Sequence, residues 1–256
     1  MNILVTGRTG YIAKSIDSKL NKEYNITLLG RQDLDLTNSQ TVKEWFKDKN
    51  FDVVVHTAIA GGSSNLIKES LNVLDTNLKM FYNLYDNRHK FAKLISFGSG
   101  AEKTYPFSPY GMSKRIINDI IKHTPGFTNL RIYAVFDENE LDRRFIKRNI
   151  KNYINKKPIL IHKDRYMDFI FLEDLIDIMK YFMTNNTNIS EIDCVYKEKV
   201  KLTDISRIIN DLDNHAVDIN IIEKGLDIDY TGHYSGFNFK NNLEVGIYKT
   251  YKKLIG

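Results

Sequence analysis

The N-terminal sequence reads Asn2-Ile3-Leu4-Val5-Thr6-Gly7-Arg8-Thr9-Gly10-Tyr11-Ile12-Ala13. Its first part, Asn2 to Thr6, is apolar and β-branched without alternation, which indicates a strand buried on both faces of a parallel sheet. Two glycines three residues apart come next. Apolar residues then recur every fourth position at Ile12, Ile16 and Leu20, which predicts a helix with one buried face. The stretch therefore predicts a strand, a glycine turn and a helix, in that order.

This order of elements is typical of a dinucleotide-binding turn. It brings backbone N–H groups and the positive end of a helix to one point, where phosphate binds. Gly7 is expected to take a positive φ, and Gly10 lets the backbone approach a diphosphate closely. Ala13 stands where a third glycine is common and is small enough for tight packing of helix on strand. The glycine turn is thus the predicted phosphate site.

Composition indicates an ordinary globular protein. The chain has 256 residues, of which 42% are hydrophobic and 27% charged, with a net charge of +5. Its 37 basic residues are spread among 32 acidic ones, and its aromatics are not interleaved with a basic stripe, so nucleic-acid binding is not expected. There is no run of 18 apolar residues and no signal peptide is visible, so no membrane association is expected. One cysteine, Cys194, suits a reducing compartment, and a cytoplasmic location is predicted.

The chain alternates strand and helix patterns up to residue 135. Strands are predicted over 2–6, 24–30, 51–56, 92–97 and 129–135. Helices are predicted after the glycine turn and over 39–49, with Ser39 as cap, 66–89 and 109–123, with Ser108 as cap. This repetition predicts an α/β protein with a doubly wound parallel Rossmann sheet.

The alternation of strand and helix patterns is less regular beyond residue 135. Helices are predicted over 141–155, 173–183, 202–212 and 241–254, and short strands over 158–162, 168–172, 193–196 and 217–222. The expected domains are a dinucleotide-binding domain at 1–135 and a smaller α/β C-terminal lobe at 136–256. The lobe is expected to bind substrate mainly and to return some segments to the sheet.

Three residues in the middle of the chain form a candidate catalytic set. Tyr110 and Lys114 lie four apart in the first turns of a predicted helix, so they share one face. A neighbouring ammonium favours the ionised form of a phenol, which makes Tyr110 a candidate acid or base. Ser99 ends the fourth strand, at the sheet edge where ligands bind in such folds, and its hydroxyl is suited to hold a carbonyl oxygen.

These motifs together resemble the extended short-chain dehydrogenase/reductase superfamily. The resemblance is to its nucleotide-sugar epimerase, dehydratase and reductase branch, especially GDP-fucose synthase-like 4-keto-sugar reductases. It rests on these elements: Thr6-Gly7-x-x-Gly10-x-x-Ala13, Asp35-Leu36, His56-x-Ala58-x-Ala60, Asn77, Ser99, Tyr110-x-x-x-Lys114 and Met167-Asp168-Phe169-Ile170-x-x-Glu173-Asp174.

The resemblance implies roles for particular residues. Catalysis would fall to Ser99, Tyr110 and Lys114. The cofactor would be bound by Gly7, Arg8, Thr9, Gly10, Tyr11, Ile12, Arg31, Asp35, Leu36, Ala58, Ile59, Ala60, Asn77, Tyr110 and Lys114. The substrate, a nucleotide-diphosphate sugar, would meet Ser99, Gly100, Ala101 and Arg165. Arg143 and Arg144 belong to a basic run that is typical of a solvated helix face and is the candidate contact for the substrate diphosphate. No metal site is expected, since no histidine has metal-ligand spacing.

The expected activity is NADP(H)-dependent reduction of a nucleotide-diphosphate-linked keto-sugar of the 4-keto-6-deoxyhexose type, in deoxysugar biosynthesis. GDP-fucose synthase also epimerises, with a cysteine where this chain has Ala101. Dehydratases carry an Asp-Glu pair where this chain has Gly100-Ala101. The alternatives are an NAD-retaining 4-epimerase or dehydratase and, outside enzymes, an NADP(H)-binding sensor or scaffold. Relatives dimerise through the helices predicted near 66–89 and 109–123, so a homodimer is expected.

Charge at the end of the second strand favours NADP(H) over NAD(H). An acidic residue about 20 positions past the glycine turn selects NAD by binding the ribose 2′-hydroxyl. Gly30 and Arg31 occupy that place here, and Asp35 suits the adenine amine better. A guanidinium at Arg31, with Arg8 in the turn as a second positive charge, would attract the 2′-phosphate of NADP.

Overall fold

The computed structural model describes residues 1–62 and 70–256. The chain divides into two compact units, the first made of Met1–Arg131 and Met179–Ile192 and the second of Ile132–Ile178 and Asp193–Gly256. The predicted helix over 66–89 begins outside the described residues. None of the helices in the described part is long and apolar enough to cross a membrane.

A six-stranded sheet forms the centre of the first unit. Its strands are β1 (Asn2–Thr6), β2 (Asn25–Leu29), β3 (Phe51–His56), β4 (Phe91–Ser99), β5 (Phe127–Ile132) and β9 (Glu191–Asp193). Their order is β2-β1-β3-β4-β5-β9, and β1 pairs in parallel with both β2 and β3, as β3 does with β4. The doubly wound parallel fold is confirmed. Because the strand order reverses between β1 and β3, the crevice for ligands opens at their carboxyl ends.

Five α-helices of the first unit precede β5 in residues 1–62 and 70–126. They are α1 (Tyr11–Leu20), α2 (Ser39–Phe46), α3 (Asn72–Asp86), α4 (Ala101–Thr104) and α5 (Pro109–Lys122). Buried residues of the sheet and these helices form one core cluster, which includes Leu4, Phe46, Val54, Phe81 and Leu94. All five side chains are excluded from solvent, and burial of a large apolar side chain stabilises a fold by about 1.5–3 kcal/mol.

Several element boundaries differ from the sequence prediction. The cap of α2 is Asn38, whose side chain accepts from Thr41 N, and the prediction of Ser39 was wrong by one residue. The fourth strand extends through Ser99, because Gly98 and Ser99 continue the extended backbone. The fifth strand begins at Phe127 and ends at Ile132. The short helix α4 was not predicted, since four residues carry no periodicity.

The second unit is built around two small parallel sheets. One pairs β6 (Val135–Phe136) with β8 (Ile170–Phe171), and the other pairs β7 (Ile159–Asp164) with β10 (Ile219–Leu226). Its helices are α6 (Phe145–Ile154), α8 (Leu202–Asn210) and α9 (Leu243–Ile255), and the boundary between units falls inside α7 (Leu172–Thr184). The strand predicted over 168–172 is shorter in the structure (Ile170–Phe171), and the strand predicted over 193–196 is displaced to Glu191–Asp193. Buried loop residues are as apolar as strand residues, so the sequence pattern does not separate the two.

A separate hydrophobic cluster forms the core of the second unit. It includes Phe136, Ile150, Tyr153, Ile205 and Ile247, which come from β6, α6, α8 and α9. All five are fully buried. The two clusters explain why the chain divides into two units, since each unit has its own core.

Candidate functional site

The glycine turn after β1 has a backbone that only glycine adopts without strain. Gly7 has φ +81°, and a Cβ there would lie 2.8 Å from Thr57 Oγ1 and 2.9 Å from Ala58 N. Gly10 N donates to Gly7 O at 2.8 Å, which closes the turn. Substitution of Gly7 would therefore strain the backbone and displace the loop after β3.

The loop after β3 is held against the end of β1 by hydrogen bonds. Thr57 Oγ1 donates to Thr6 O at 2.6 Å, and Ala58 N donates to Thr6 Oγ1 at 3.1 Å. His56 Nδ1 lies 2.9 Å from the same hydroxyl. Burial lowers the pKa of His56 to about 3, with the nearby Lys114 charge acting in the same direction, so His56 is neutral. The sequence did not indicate that Thr57 holds this loop against β1, because a single threonine forms no recognisable motif.

Asn77 connects this loop to two helices. From α3 its Oδ1 accepts from Ala60 N at 2.8 Å, while its Nδ2 donates to Ala60 O at 3.0 Å and to Ser113 Oγ on α5 at 3.1 Å. It is 3% exposed. The structure thus places Asn77 behind Ala60, where it fixes the loop backbone. Ala58 and Ala60 are half-buried and Ile59 is exposed on that loop.

The start of α1 suits a diphosphate. Its N-cap is Gly10, with no side-chain cap, and its first turn has no acidic residue. Thr9 and Gly10 are exposed, while Tyr11 and Ile12 are half-buried at the first turn. A helix N-terminus without a side-chain cap and without negative charge attracts an anion. These residues, together with the glycine turn, fit the phosphates of a dinucleotide.

The end of β2 contains an ion pair that sequence reasoning missed. Arg8 Nη1 lies 2.9 Å from Asp33 Oδ2, and the same oxygen accepts from Gly30 N at 2.7 Å. Asp33 thus folds back onto Gly30 at the end of β2. The sequence feature that could have indicated this contact is the Gly30-x-x-Asp33 spacing, because aspartate side chains often accept hydrogen bonds from the backbone of their own turn. Arg31 is exposed, and no hydrogen bond or ion pair engages its guanidinium among the described residues.

Asp35 and Leu36 follow this turn. Asp35 Oδ1 accepts from Thr37 N at 3.0 Å and from Thr37 Oγ1 at 2.7 Å, and these bonds lower the pKa of Asp35. Leu36 is 6% exposed and belongs to the core cluster, while its carbonyl accepts from Asn83 Nδ2. Leu36 therefore offers a ligand little side-chain surface, whereas the Asp35 side chain is half-buried.

Helix α5 presents the Tyr110 and Lys114 pair. Ser108 caps it by accepting from Gly111 N at 3.0 Å, and Pro109 occupies its first turn. Lys114 Nζ lies 5.9 Å from the centroid of the Tyr110 ring and donates to Phe97 O at 2.6 Å. Burial lowers the pKa of Lys114 to about 8, against the opposing effect of Glu102. A buried lysine of this kind sits close to its titration point at physiological pH.

The segment after Ser99 packs directly onto the start of α5. A Cβ on Gly111 would collide with Tyr105 O and lie 2.6 Å from Ala101 O. Gly100 and Ala101 begin α4 and are buried, and Ala101 N donates to Ser99 Oγ at 3.2 Å. The ten residues between Ser99 and Tyr110 thus form a short, closely packed connection that contains α4. Lys114 thus reaches the backbone of β4 two residues before Ser99, and the segment after Ser99 packs on Gly111, next to Tyr110.

Glu102 makes contacts that the sequence did not indicate. Its Oε1 accepts from Ser99 N at 2.8 Å, and its Oε2 accepts from Arg131 Nε at 2.8 Å. Arg131 Nη2 also donates to Glu191 Oε2 at 2.7 Å. Glu102 and Arg131 are buried and Glu191 is partly exposed, and the Glu102 end of this ionic network contacts the backbone of Ser99.

The three arginines expected to meet substrate belong to the second unit. Arg143 and Arg144 are exposed in the turn before α6, and Arg144 is the N-cap of that helix. Arg165 is half-buried and pairs with Asp227 at 3.4 Å. Asp168, in the motif at 167–174, accepts from Lys199 Nζ and Gly232 N, both at 2.7 Å.

Comparison with known proteins gives matches to one family. Residues 3–193 match the NAD dependent epimerase/dehydratase family. A CDP-abequose synthase of Yersinia pseudotuberculosis is 22% identical over 210 residues, which span 73% of this chain and 74% of that protein. Protein CapI of Staphylococcus aureus is 23% identical over 226 residues, 69% of this chain and 67% of its own length.

Solved structures share the fold over almost the whole chain. A GDP-mannoheptose C4 reductase from Campylobacter jejuni with NADP bound superimposes with TM-score 0.82 at 18% identity, covering 100% of this chain and 98% of its own. A GDP-L-fucose synthetase from Naegleria fowleri bound to NADP gives 0.77 at 18% identity, over 99% and 92%. A UDP-glucose 4-epimerase from Thermotoga maritima with UDP-glucose gives 0.81 at 17%, over 100% and 99%.

Proposed function

Because this chain belongs to the NAD dependent epimerase/dehydratase family and is an NAD(P)-dependent enzyme of the short-chain dehydrogenase/reductase type, we propose that it reduces a nucleotide-linked keto-sugar with NADPH. The substrate class is a nucleotide-diphosphate sugar of the 4-keto-6-deoxyhexose type, and the pathway is deoxysugar biosynthesis. The observation that carries this proposal is the Tyr110–Lys114 pair on α5, whose lysine donates to Phe97 O, two residues before Ser99 on β4, in the unit that also contains the glycine turn.

The substrate class is supported by the relatives. The names of the abequose synthase, the mannoheptose reductase and the fucose synthetase all refer to nucleotide-linked sugars or their products. The residues proposed to meet this substrate are Ser99, Gly100 and Ala101, with Arg143, Arg144 and Arg165 from the second unit. Guanidinium groups suit a diphosphate, since they donate bidentate, charge-assisted hydrogen bonds.

Each residue of the proposed site has a separate role in carbonyl reduction. Bound NADPH would supply the hydride to the carbonyl carbon. Ser99 Oγ would hold the carbonyl oxygen, and Tyr110 Oη would give that oxygen its proton, so that the product is an alcohol. The Lys114 ammonium would stabilise the phenolate that remains. Its bond to Phe97 O uses one of its three N–H donors and leaves two for a ribose and the site.

Reduction without dehydration is favoured by the position of the acids. The dehydratases in the resembling branch need acids straight after the catalytic hydroxyl, and here Gly100 and Ala101 occupy those places. The next acid, Glu102, has both carboxylate oxygens engaged by Ser99 N and Arg131. Ala101 also has no group to move a proton at a sugar carbon, which argues against epimerisation.

NADP is the proposed cofactor because the exposed Arg31 guanidinium is free of ion pairs among the described residues, so it is ready for a 2′-phosphate. Gly7, Arg8, Thr9, Gly10, Tyr11, Ile12, Asp35, Leu36, Ala58, Ile59 and Ala60 would line the dinucleotide, with Tyr110 and Lys114 at its reactive end. Asn77 would act behind Ala60. We also propose that the protein is located in the cytoplasm and forms a homodimer.

The test uses purified protein and a panel of 4-keto-6-deoxy sugars on GDP, dTDP, UDP and CDP. We expect loss of NADPH absorbance with one nucleotide series and no cofactor retained through purification. Tightly bound oxidised NAD, together with interconversion of two sugars without net NADPH use, would instead identify a 4-epimerase. No turnover of any keto-sugar would refute the reductase proposal.

A further inference from the structure

A buried acid lies directly behind the proposed catalytic serine. Glu102 is 5% exposed, and the backbone N–H of Ser99 donates to its Oε1 at 2.8 Å. Gly98 has no room for a side chain, because a Cβ there would collide with the same oxygen. The end of β4 is therefore built to bring the Ser99 backbone onto this carboxylate.

The contacts of Glu102 require its ionised form. Arg131 Nε donates to Oε2 at 2.8 Å, and Asn129 Nδ2 lies 3.4 Å from Oε1. All of these partners are donors, so a carboxylate satisfies them and a protonated acid would place an O–H against an N–H. Burial raises the pKa of Glu102, while the Arg131 charge and the Ser99 N–H oppose that rise.

The same carboxylate is the negative charge that acts on Lys114. Burial lowers the pKa of Lys114 to about 8, and Glu102 works against that fall. The other titratable groups that face Lys114 are Tyr110 on its own helix and His56 on β3, which is neutral near pH 7. Arg131 on β5 faces Glu102. Both charged groups bind the same end of β4, since Lys114 Nζ donates to Phe97 O at 2.6 Å and Glu102 Oε1 accepts from Ser99 N at 2.8 Å.

We propose that Glu102 is a positioning residue of this site, which holds the backbone of Ser99 and supplies the counter-charge of Lys114. This inference rests on the proposed function, in which both residues act on the carbonyl. Glu102 itself touches neither substrate nor cofactor in this role. Its effects pass through a backbone hydrogen bond at Ser99 and through charge at Lys114.

The test compares Glu102→Gln with Glu191→Gln. Glutamine at 102 keeps an acceptor for Ser99 N but removes the charge. Glu191 is the matched control, since it also pairs with Arg131, at 2.7 Å, but has no contact with Ser99. In the proposed mechanism, turnover is lost as pH rises through the pKa of Lys114, because the ammonium that stabilises the phenolate is then deprotonated. We therefore expect the alkaline limb to move down by at least ~0.5 pH unit in E102Q and to stay in place in E191Q. An unmoved limb in E102Q, or an equal movement in E191Q, overturns the proposal.

A second readout needs no substrate. The rate of Lys114 acetylation by acetic anhydride, followed by mass spectrometry across pH, reports its pKa directly. We expect the midpoint to fall in E102Q alone. If no keto-sugar is turned over, the proposed function fails while this measurement still decides the role of Glu102.

A third variant separates the two effects and serves if E102Q does not fold. Glu102→Asp keeps the charge but is one methylene too short to reach Ser99 N. We expect turnover to drop at least ~10-fold with the alkaline limb unchanged, because Ser99 is displaced while Lys114 keeps its counter-charge. Unchanged turnover in a folded E102D protein would contradict a positioning role at Ser99.

Discussion

Tyr110 is nine-tenths buried, with its ring 3.3 Å from where a Cβ of Gly62 would lie. Replacement by phenylalanine therefore keeps the packing and removes only the hydroxyl. We expect Tyr110→Phe to lower kcat at least ~100-fold, the usual contribution of a placed general acid, with unchanged NADPH affinity. Tyr105→Phe, five residues earlier, should keep its activity. Near wild-type kcat in Tyr110→Phe would exclude Tyr110 as the acid.

The second residue prediction concerns cofactor choice. Arg31→Ala should weaken NADPH binding by about ten- to a hundred-fold, or ~1.5–3 kcal/mol, and leave NADH binding unchanged. Asp33→Asn should do the opposite and strengthen NADPH binding, because Asp33 neutralises Arg8. Fluorescence titration of both cofactors measures this. Equal wild-type affinities for NADPH and NADH would contradict the NADP assignment.

His56 links stability to pH. Burial lowers its folded-state pKa to about 3, whereas an unfolded histidine titrates near ~6.5. The unfolded chain therefore binds the proton more readily, so this contribution is complete above about pH 7 and is lost as pH falls from ~6.5 toward 3. By pH 5 the loss from this group should reach about 2 kcal/mol. Urea unfolding of His56→Asn should show a shallower pH dependence than wild type, while the exposed His123→Asn should not.

At the scale of elements, the two capped helices of the first unit make a matched pair. Ser108 caps α5, which carries Tyr110, and Asn38 caps α2, which carries no proposed site residue. Replacement of either cap by alanine should cost ~1 kcal/mol of stability. Only Ser108→Ala should also lower kcat, because it loosens the turn that holds Tyr110. An equal effect of both variants on kcat would show that capping does not position the tyrosine.

At the scale of the whole molecule, the prediction is a homodimer through α3 and α5. Tyr82 on α3 is 43% exposed, so a charge placed there would lie on the proposed interface and not in the core. Light scattering at micromolar concentration should give twice the 29.8 kDa of one chain. Tyr82→Glu should shift the mass toward the monomer, and Tyr181→Glu on α7, 41% exposed, should not. A wild-type monomer would contradict this prediction.

Local sequence determined the doubly wound sheet and the elements of the proposed site. The apolar run at 2–6, the helical recurrence after Gly10 and the Tyr110–Lys114 spacing are short-range patterns, because strand burial, helix period and glycine freedom act over a few residues. The same local rules placed the Ser108 cap but chose the wrong one of two adjacent polar residues as the cap of α2.

Tertiary structure decided the interactions between residues far apart in sequence. The pairing of Arg8 with Asp33, the support of Ala60 by Asn77 and the carboxylate of Glu102 on Ser99 and Arg131 all depend on how strands and helices pack. A single sequence does not contain these partners, since charge and hydrogen bonding depend on distance in space and on burial. For the same reason, the pKa values of Lys114 and His56 depend on the fold and could not be predicted from a sequence motif.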